Sequence, residues 1–143
     1  EGMGRAYSLV IGIIIAAGVF IGGLEAAGVI GRLVESLKGV KAAVPLFGTL
    51  GAYLLAVLSG SGDAATIAFN ASVTPHAAQF GLGAVNLGNL AWIGGALGRS
   101  MSPVAAACII AAGFAGVSPF EIAKRNAVPM LVAAIAVMLI LGR

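Results

Sequence analysis

The chain reads Ser59-Gly60-Ser61-Gly62-Asp63 in the middle of a sequence that is 60% hydrophobic and only 9% charged. Apolar residues flank this polar stretch on both sides. In a bilayer, non-helical backbone is tolerated only where it is buried in protein or lines a polar cavity. The five residues therefore predict a break between two helical arms, at the tip of a re-entrant hairpin that carries a binding site.

The composition of the 143 residues predicts an integral membrane protein. Soluble domains carry roughly 25% charged residues, whereas this chain combines few charges with many glycines and long apolar runs. Its net charge of +3 comes from basic residues near the ends of apolar segments, where they orient helices, so no nucleic-acid partner is expected. A lone Cys108 forms no internal disulfide, and no metal-ligand cluster or activated nucleophile is present in the sequence. No enzyme activity is predicted.

The apolar runs divide a single membrane domain, residues 1–143, into five segments. Charges at 32, 35, 38 and 41 recur at helical spacing and predict an amphipathic interfacial helix, and Gly18 and Gly22 permit close helix packing before it. The predicted segments are a transmembrane helix at 7–30, the interfacial helix at 31–43, the re-entrant hairpin at 44–80 with its tip at 59–63, a broken helix at 84–116 with its break at 98–103, and a transmembrane helix at 127–141.

The hairpin tip has the chemistry of an ion site. A helix that starts after the tip points its positive end at it, and the hydroxyls of Ser59 and Ser61 can donate to a carboxylate or coordinate sodium. Asp63 has three open roles, which are capping the following helix, coordinating a cation and carrying a proton. Thr66, Asn70 and Thr74 continue from Asp63 along one helical face, so the polar stripe starts at the tip.

A second polar break is predicted at residues 98–103. Pro103 removes a backbone donor and Gly98 tolerates unusual dihedral angles, which would leave the backbone groups of residues 99–102 free to meet a ligand. Arg99 is the only cation inside this long apolar run, and its planar fork can bind a carboxylate bidentately. Pairing with Asp63 and extension to the membrane interface remain open alternatives for Arg99.

Three motifs follow one another along the chain. They are Ser59-Gly60-Ser61-Gly62-Asp63-Ala64-Ala65-Thr66 with Ala68-Phe69-Asn70, then Gly98-Arg99-Ser100-Met101-Ser102-Pro103-Val104, and then Gly116-Val117-Ser118-Pro119-Phe120-Glu121 with Lys124-Arg125. In this order and spacing they resemble the C-terminal half of the DcuC-type anaerobic four-carbon dicarboxylate transporters, members of the ion transporter superfamily. The similarity spans most of the chain.

The resemblance implies an all-α integral membrane protein built as one inverted-repeat unit, with a scaffold helix, an interfacial amphipathic helix, a re-entrant helical hairpin, a broken transmembrane helix and a final transmembrane helix. It implies secondary active transport of fumarate, malate or succinate by an elevator movement against a dimeric scaffold, in the bacterial inner membrane. The chain resembles one repeat only. The other half of the site is therefore expected from a missing N-terminal repeat or a second chain.

The resemblance also implies the partners and the site. The expected partners are a small organic anion, the lipid bilayer and a second copy in a homodimer, and no cofactor is expected beyond a coupling cation, either sodium or a proton. The substrate is expected between the hairpin tip and the facing break. The candidate substrate- and ion-binding residues are Ser59, Gly60, Ser61, Gly62, Asp63, Thr66, Asn70, Arg99, Ser100, Ser102 and Pro103.

Two other functions fit the same sequence. One is a small helical membrane subunit or assembly protein without transport activity, which would bind partner helices through Gly18 and Gly22 and through Gly94 and Gly98. The other is a related transporter of a different organic anion, such as gluconate. Stabilisation by a dicarboxylate would separate a true site from an assembly role.

Overall fold

The computed structural model describes residues 11–12, 15, 19, 22–23, 26–38 and 43–141. None of these residues is in a β-strand, which confirms the predicted all-helical class. The predicted transmembrane helix at 7–30 lies largely outside the described residues, as do Gly18 and Lys41. From residue 29 onward the helices are α1 (Val29–Lys38), α2 (Ala43–Ser59), α3 (Gly62–Ser72), a 3₁₀ helix (Thr74–Phe80), α4 (Ala84–Met101), α5 (Ala106–Ala115) and α6 (Pro119–Leu141).

Helices α2 and α3 fold back on each other as a hairpin. Phe47 of α2 and Phe69 of α3 pack with ring centroids 5.5 Å apart, and a Cβ at Gly51 would lie only 3.0 Å from the Phe69 ring. The chain reverses at Gly60, whose φ of +72° lies in the left-handed region that favours glycine. The helix break is therefore at residues 60–61, inside the predicted tip.

Ser61, not Asp63, caps α3. Ser61 has the extended backbone of an N-cap, and its hydroxyl oxygen accepts a hydrogen bond from the Ala64 N–H at 3.2 Å. Asp63 is already the second residue of the helix, so the capping role left open for it is wrong. In the first turn its carboxylate faces the positive end of the α3 dipole, which stabilises a negative charge there.

The second arm of the hairpin is α-helical only as far as Ser72. Pro75 disfavours the α conformation of Thr74 and lacks an N–H, and the chain continues as a 3₁₀ helix to Phe80. Thr74 therefore lies outside α3, although its hydroxyl still donates to Asn70 Oδ1 at 2.8 Å. The polar stripe predicted on one helical face is thus continued by a side-chain hydrogen bond across the change of helix type.

The second helix break is at residues 102–105, later than the predicted 98–103. Pro103 pushes the residue before it out of the α conformation, and Ser102 is extended with ψ of 125°. The prediction was wrong about the four residues from Gly98 to Met101, which are helical. Gly98 serves packing instead, because a Cβ there would overlap the carbonyl group of Tyr53 in α2.

The last helix begins at Pro119 and not at 127, because Ser118 and Pro119 form a helix start. The Ser118 hydroxyl accepts from the Phe120 N–H at 3.2 Å, and proline is favoured at the first helical position. With 23 residues, α6 is long enough to cross a membrane, and so is the apolar stretch Ala84–Ala115 that contains α4 and α5. Two predicted membrane crossings thus have helices of suitable length and composition among the described residues.

Helix α4 packs against both α2 and α3 and also contacts α6. Glycines permit this arrangement, because larger side chains would overlap the neighbouring helices. A Cβ at Gly94 would overlap the Thr49 carbonyl, and a Cβ at Gly95 would overlap the Thr66 hydroxyl. These contacts bring the C-terminal end of α4 to the hairpin tip. The buried core beside them contains Val44, Ala52, Phe69, Val73, Ala77, Phe80, Leu87 and Ala91.

Candidate functional site

The two helix breaks lie against each other. A Cβ at Gly60 would be 2.9 Å from the carbonyl oxygen of Val104 and 3.0 Å from the amide nitrogen of Ala105. A Cβ at Gly62 would be 2.8 Å from the Gly95 oxygen and 3.4 Å from Arg99 Cβ. Only glycines leave room for these approaches. The hairpin tip therefore rests on the second break and on the last turns of α4.

A buried hydrogen bond also connects the breaks. The hydroxyl of Ser102, which is completely buried, donates to the carbonyl oxygen of Val57 at 2.7 Å. Val57 belongs to the last turn of α2, where carbonyl groups have no partner within the helix. The Val104 N–H donates in turn to the Ser102 hydroxyl at 3.3 Å. Ser102 thus connects the end of α2 to the second break.

A cavity of about 550 Å³ opens beside this contact. Its volume lies within the range of roughly 300–1,000 Å³ that is usual for small-molecule sites. One wall carries polar groups from the start of α3 and the end of α4, and the other walls come from α5, α6 and the middle of α4. The lining residues are Gly62, Asp63, Thr66, Trp92, Ala96, Arg99, Ser100, Ala107, Cys108, Ala111, Ile122 and Asn126.

The cavity is lined by one acidic and one basic residue among those described. Asp63 lies in the first turn of α3 and Arg99 in the last turn of α4, and both side chains are exposed. Among the described residues these two form no ion pair with each other, so the pairing that the sequence left open for Arg99 is not made. The guanidinium of Arg99 and the positive end of α3 both attract an anion, and the Asp63 carboxylate opposes them.

Five of the eleven predicted site residues line the cavity. They are Gly62, Asp63, Thr66, Arg99 and Ser100.

The remaining predicted residues are not among those that line the cavity. The Ser59 hydroxyl donates to the Ser61 carbonyl at 3.3 Å, while Gly60 packs on the second break. Asn70 faces Gly88 of α4, and its Nδ2 donates to the Gly88 carbonyl at 3.5 Å. Pro103 belongs to the second break and ends α4. Binding roles for these residues remain predictions.

Several lining residues were missed from the sequence, and two of them have polar contacts: Cys108, whose thiol donates to the Pro119 carbonyl at 3.3 Å, and Asn126. Asn126 contacts the end of α4. Its Nδ2 donates to the carbonyl oxygen of Ser100 at 3.1 Å. The last helix was predicted to begin at residue 127, which left Asn126 just outside it. The available signal was the spacing of Ile122 and Asn126, four residues apart and therefore on one face of a helix. That spacing is informative only once the helix is known to begin at Pro119.

A family model described as the C4-dicarboxylate anaerobic carrier, DcuC, matches residues 1–142 of the chain. The chain belongs to the DcuC family. The resemblance drawn from the three motifs is thereby confirmed, and the DcuC family is one of carriers rather than of enzymes.

Individual DcuC relatives show the same similarity over most of the chain. A putative uncharacterized transporter from Haemophilus influenzae is 48% identical over 133 residues, which cover 93% of the chain and 48% of that protein. The anaerobic C4-dicarboxylate transporter DcuC of Escherichia coli K12 is 34% identical over 141 residues, covering 96% of the chain and 31% of the relative. A probable anaerobic C4-dicarboxylate transporter DcuC of Vibrio cholerae is 35% identical over 144 residues, covering 97% and 31%.

The chain therefore spans 31% to 48% of the length of these relatives. No solved structure matches it significantly.

Proposed function

We propose that the chain contributes one half of the substrate site of a secondary active transporter for four-carbon dicarboxylates such as fumarate, malate and succinate. The observation that carries this proposal is the cavity at the two helix breaks, where Arg99 and the positive end of α3 converge. The DcuC family membership and the dicarboxylate transporters among the relatives support the choice of substrate class.

One carboxylate of the substrate binds at Arg99 in this proposal. The guanidinium offers two parallel donors, and the hydroxyls of Thr66 and Ser100 lie on the same cavity wall. Asp63 couples transport to a cation, sodium or a proton, because a cation held at its carboxylate would cancel the repulsion between that carboxylate and the substrate. Ser59 and Ser61 at the tip join the site if the tip rearranges around substrate.

The second carboxylate requires groups beyond those that the described residues supply. Among the described residues that line the cavity, Arg99 is the one cation and Asp63 the one anion. The relatives are two to three times longer than the matched region, so a further repeat or a second chain has room to complete the site. A homodimer in the bacterial inner membrane is the assembly we propose.

Movement in this proposal follows from the contact between the breaks. Two contacts attach the hairpin to the broken helix: the hydrogen bond from Ser102 to Val57, and the close packing of Gly60 against the second break. The hairpin and the α4–α5 unit then travel together across the membrane against a fixed scaffold, as in an elevator.

The assembly-protein alternative loses one of its two glycine pairs, whereas a Cβ at Gly22 would meet nothing within 4 Å and Gly18 lies outside the described residues. Gly94 and Gly98 pack against α2 of the same chain, so they are not open to another helix. A carrier for a different organic anion fits the cavity equally well, and substrate choice decides between the two carriers.

Thermal unfolding in detergent tests the proposal, with the chain purified together with the repeat or second chain that completes the site. A ligand at one hundred times its dissociation constant stabilises by about 2.7 kcal/mol, so succinate or fumarate should raise the unfolding temperature in a saturable way. Gluconate and sodium chloride at matched ionic strength are the controls. A shift with gluconate alone would support the other carrier, and no shift with any organic anion would contradict transport through this cavity.

A further inference from the structure

The side chain of Asn126 supplies a hydrogen-bond donor that the second break removes. In an uninterrupted helix the Ser100 carbonyl would accept from the N–H of residue 104. Here the Val104 N–H donates to the Ser102 hydroxyl instead, at 3.3 Å. Asn126 Nδ2, reaching across from α6, donates to the Ser100 oxygen at 3.1 Å. The end of α4 is therefore completed by a side chain from another helix.

The two residues that form this hydrogen bond both line the cavity, and the positively charged Arg99 lines it beside them. Asn126, Ser100 and Arg99 all line the cavity, and Arg99 directly precedes Ser100 in the last turn of α4. The C-terminal end of a helix carries a partial negative charge on its unpaired carbonyl groups, which repels an anion. A donor on the Ser100 carbonyl weakens that repulsion at the place where Arg99 attracts the anion.

We propose that Asn126 is a positioning residue for anion binding. It holds the last turn of α4, and with it Arg99, against α6, and it covers the Ser100 carbonyl that would otherwise face the carboxylate. The inference rests on the proposed function, because it takes the cavity to bind an organic anion. Asn126 acts through Ser100 and not as a direct ligand.

Two substitutions separate the hydrogen bond from the charge. Asn126→Ala removes the donor, whereas Asn126→Asp keeps the size, removes the donor and adds a negative charge beside Ser100. We expect the apparent KM for radiolabelled succinate in proteoliposomes to rise about threefold for the alanine variant, as loss of one hydrogen bond predicts. For the aspartate variant we expect a larger rise, of up to about tenfold, since like charges near a protein surface repel. Vmax per folded protein should stay near the wild-type value.

Asn126→Gln is the conservative rescue, since it retains an amide donor on a longer side chain, and its KM should lie closer to wild type than that of Asn126→Ala. Asn86→Asp is the matched control, because it makes the same chemical change in the first turn of α4 and away from the cavity. Its KM should be unchanged. If Asn126→Asp does not fold, the comparison of the alanine and glutamine variants decides the question.

A fall in Vmax without a change of KM would overturn the inference, because it would indicate a purely structural role for Asn126. Equal KM values for Asn126→Ala, Asn126→Asp and wild type in an active protein would also overturn it and leave the proposed function standing. Wild-type protein that neither binds nor transports succinate would overturn the proposed function, and the inference with it.

Discussion

The hydroxyl of Ser102 donates a hydrogen bond of 2.7 Å to the carbonyl oxygen of Val57 and so connects the second helix break to the end of the first hairpin arm. Without this bond the Val57 carbonyl, in the last turn of α2, would lack its donor, and the completely buried Ser102 O–H would lack its acceptor. The bond therefore helps to hold together the two elements that form the cavity.

Replacing Ser102 by alanine should destabilise the protein. The Val57 carbonyl would be left without its donor, and a buried unsatisfied group costs about 1–3 kcal/mol. Chemical unfolding in detergent micelles measures the loss. Ser36→Ala is the control, since the Ser36 hydroxyl is exposed and bonds only to the Arg32 carbonyl of its own helix. Equal stability of the two variants would show that the Ser102 bond contributes nothing.

Gly60→Ala should be more damaging than Gly116→Ala. Both glycines have positive φ, +72° and +64°, so the backbone strain of about 1–2 kcal/mol is common to both variants. Only at Gly60 would the new Cβ also meet Val104 and Ala105, since nothing lies within 4 Å of a Cβ at Gly116. The difference between the two unfolding free energies thus measures the contact between the breaks. A difference near zero would mean that the hairpin tip does not pack closely against the second break.

Gly98→Ala should separate α4 from α2. The new methyl group would overlap the Tyr53 carbonyl, and overpacking of this kind costs about 1–3 kcal/mol. Gly113→Ala in α5 has nothing within 4 Å and should be neutral, or stabilising by up to about 1 kcal/mol through helix propensity. Unfolding temperatures of the two variants check this. If they agree, Gly98 is not a packing residue.

Asp63→Asn should strengthen substrate binding and abolish the transport that a cation gradient drives. Removing the negative charge beside Arg99 favours the anion, so the succinate dissociation constant should fall, by up to about tenfold for one repulsive pair near a protein surface. Accumulation of succinate driven by a cation gradient should be lost, while exchange of internal for external succinate continues. Counterflow and gradient-driven uptake in the same proteoliposomes distinguish the two. Gradient-driven uptake at the wild-type level would remove Asp63 from ion coupling.

The two breaks could be located from the sequence because their signals are local. Five polar or glycine residues interrupt an apolar run at 59–63, and Pro103 ends α4 whatever surrounds it. The C-terminal end of α4 was predicted too early in the sequence, because a glycine at position 98 is compatible with two structures. A glycine can interrupt a helix or permit close packing, and only the position of Tyr53 in the fold shows which one applies.

Other features depend on tertiary contacts and have no local signal. Ser102 is of a residue type that often binds ligands, so the sequence suggested a binding role. Its hydrogen bond to Val57 spans 45 positions in the sequence and has no local signal. Asn126 follows two basic residues that are typical of a loop, and its partner Ser100 is 26 positions away. The sequence therefore identified the polar and charged wall of the cavity, with Asp63 and Arg99, and missed the walls contributed by α5 and α6.

Uptake of radiolabelled succinate by proteoliposomes containing Arg99→Gln tests the central claim most directly. Glutamine keeps a polar side chain but loses the charge and the bidentate fork, and Arg32→Gln on the exposed face of α1 is the matched control. With equal amounts of folded protein, we expect uptake at the background level for Arg99→Gln and near the wild-type level for Arg32→Gln. Uptake by Arg99→Gln close to wild type would contradict a carboxylate site at the two helix breaks.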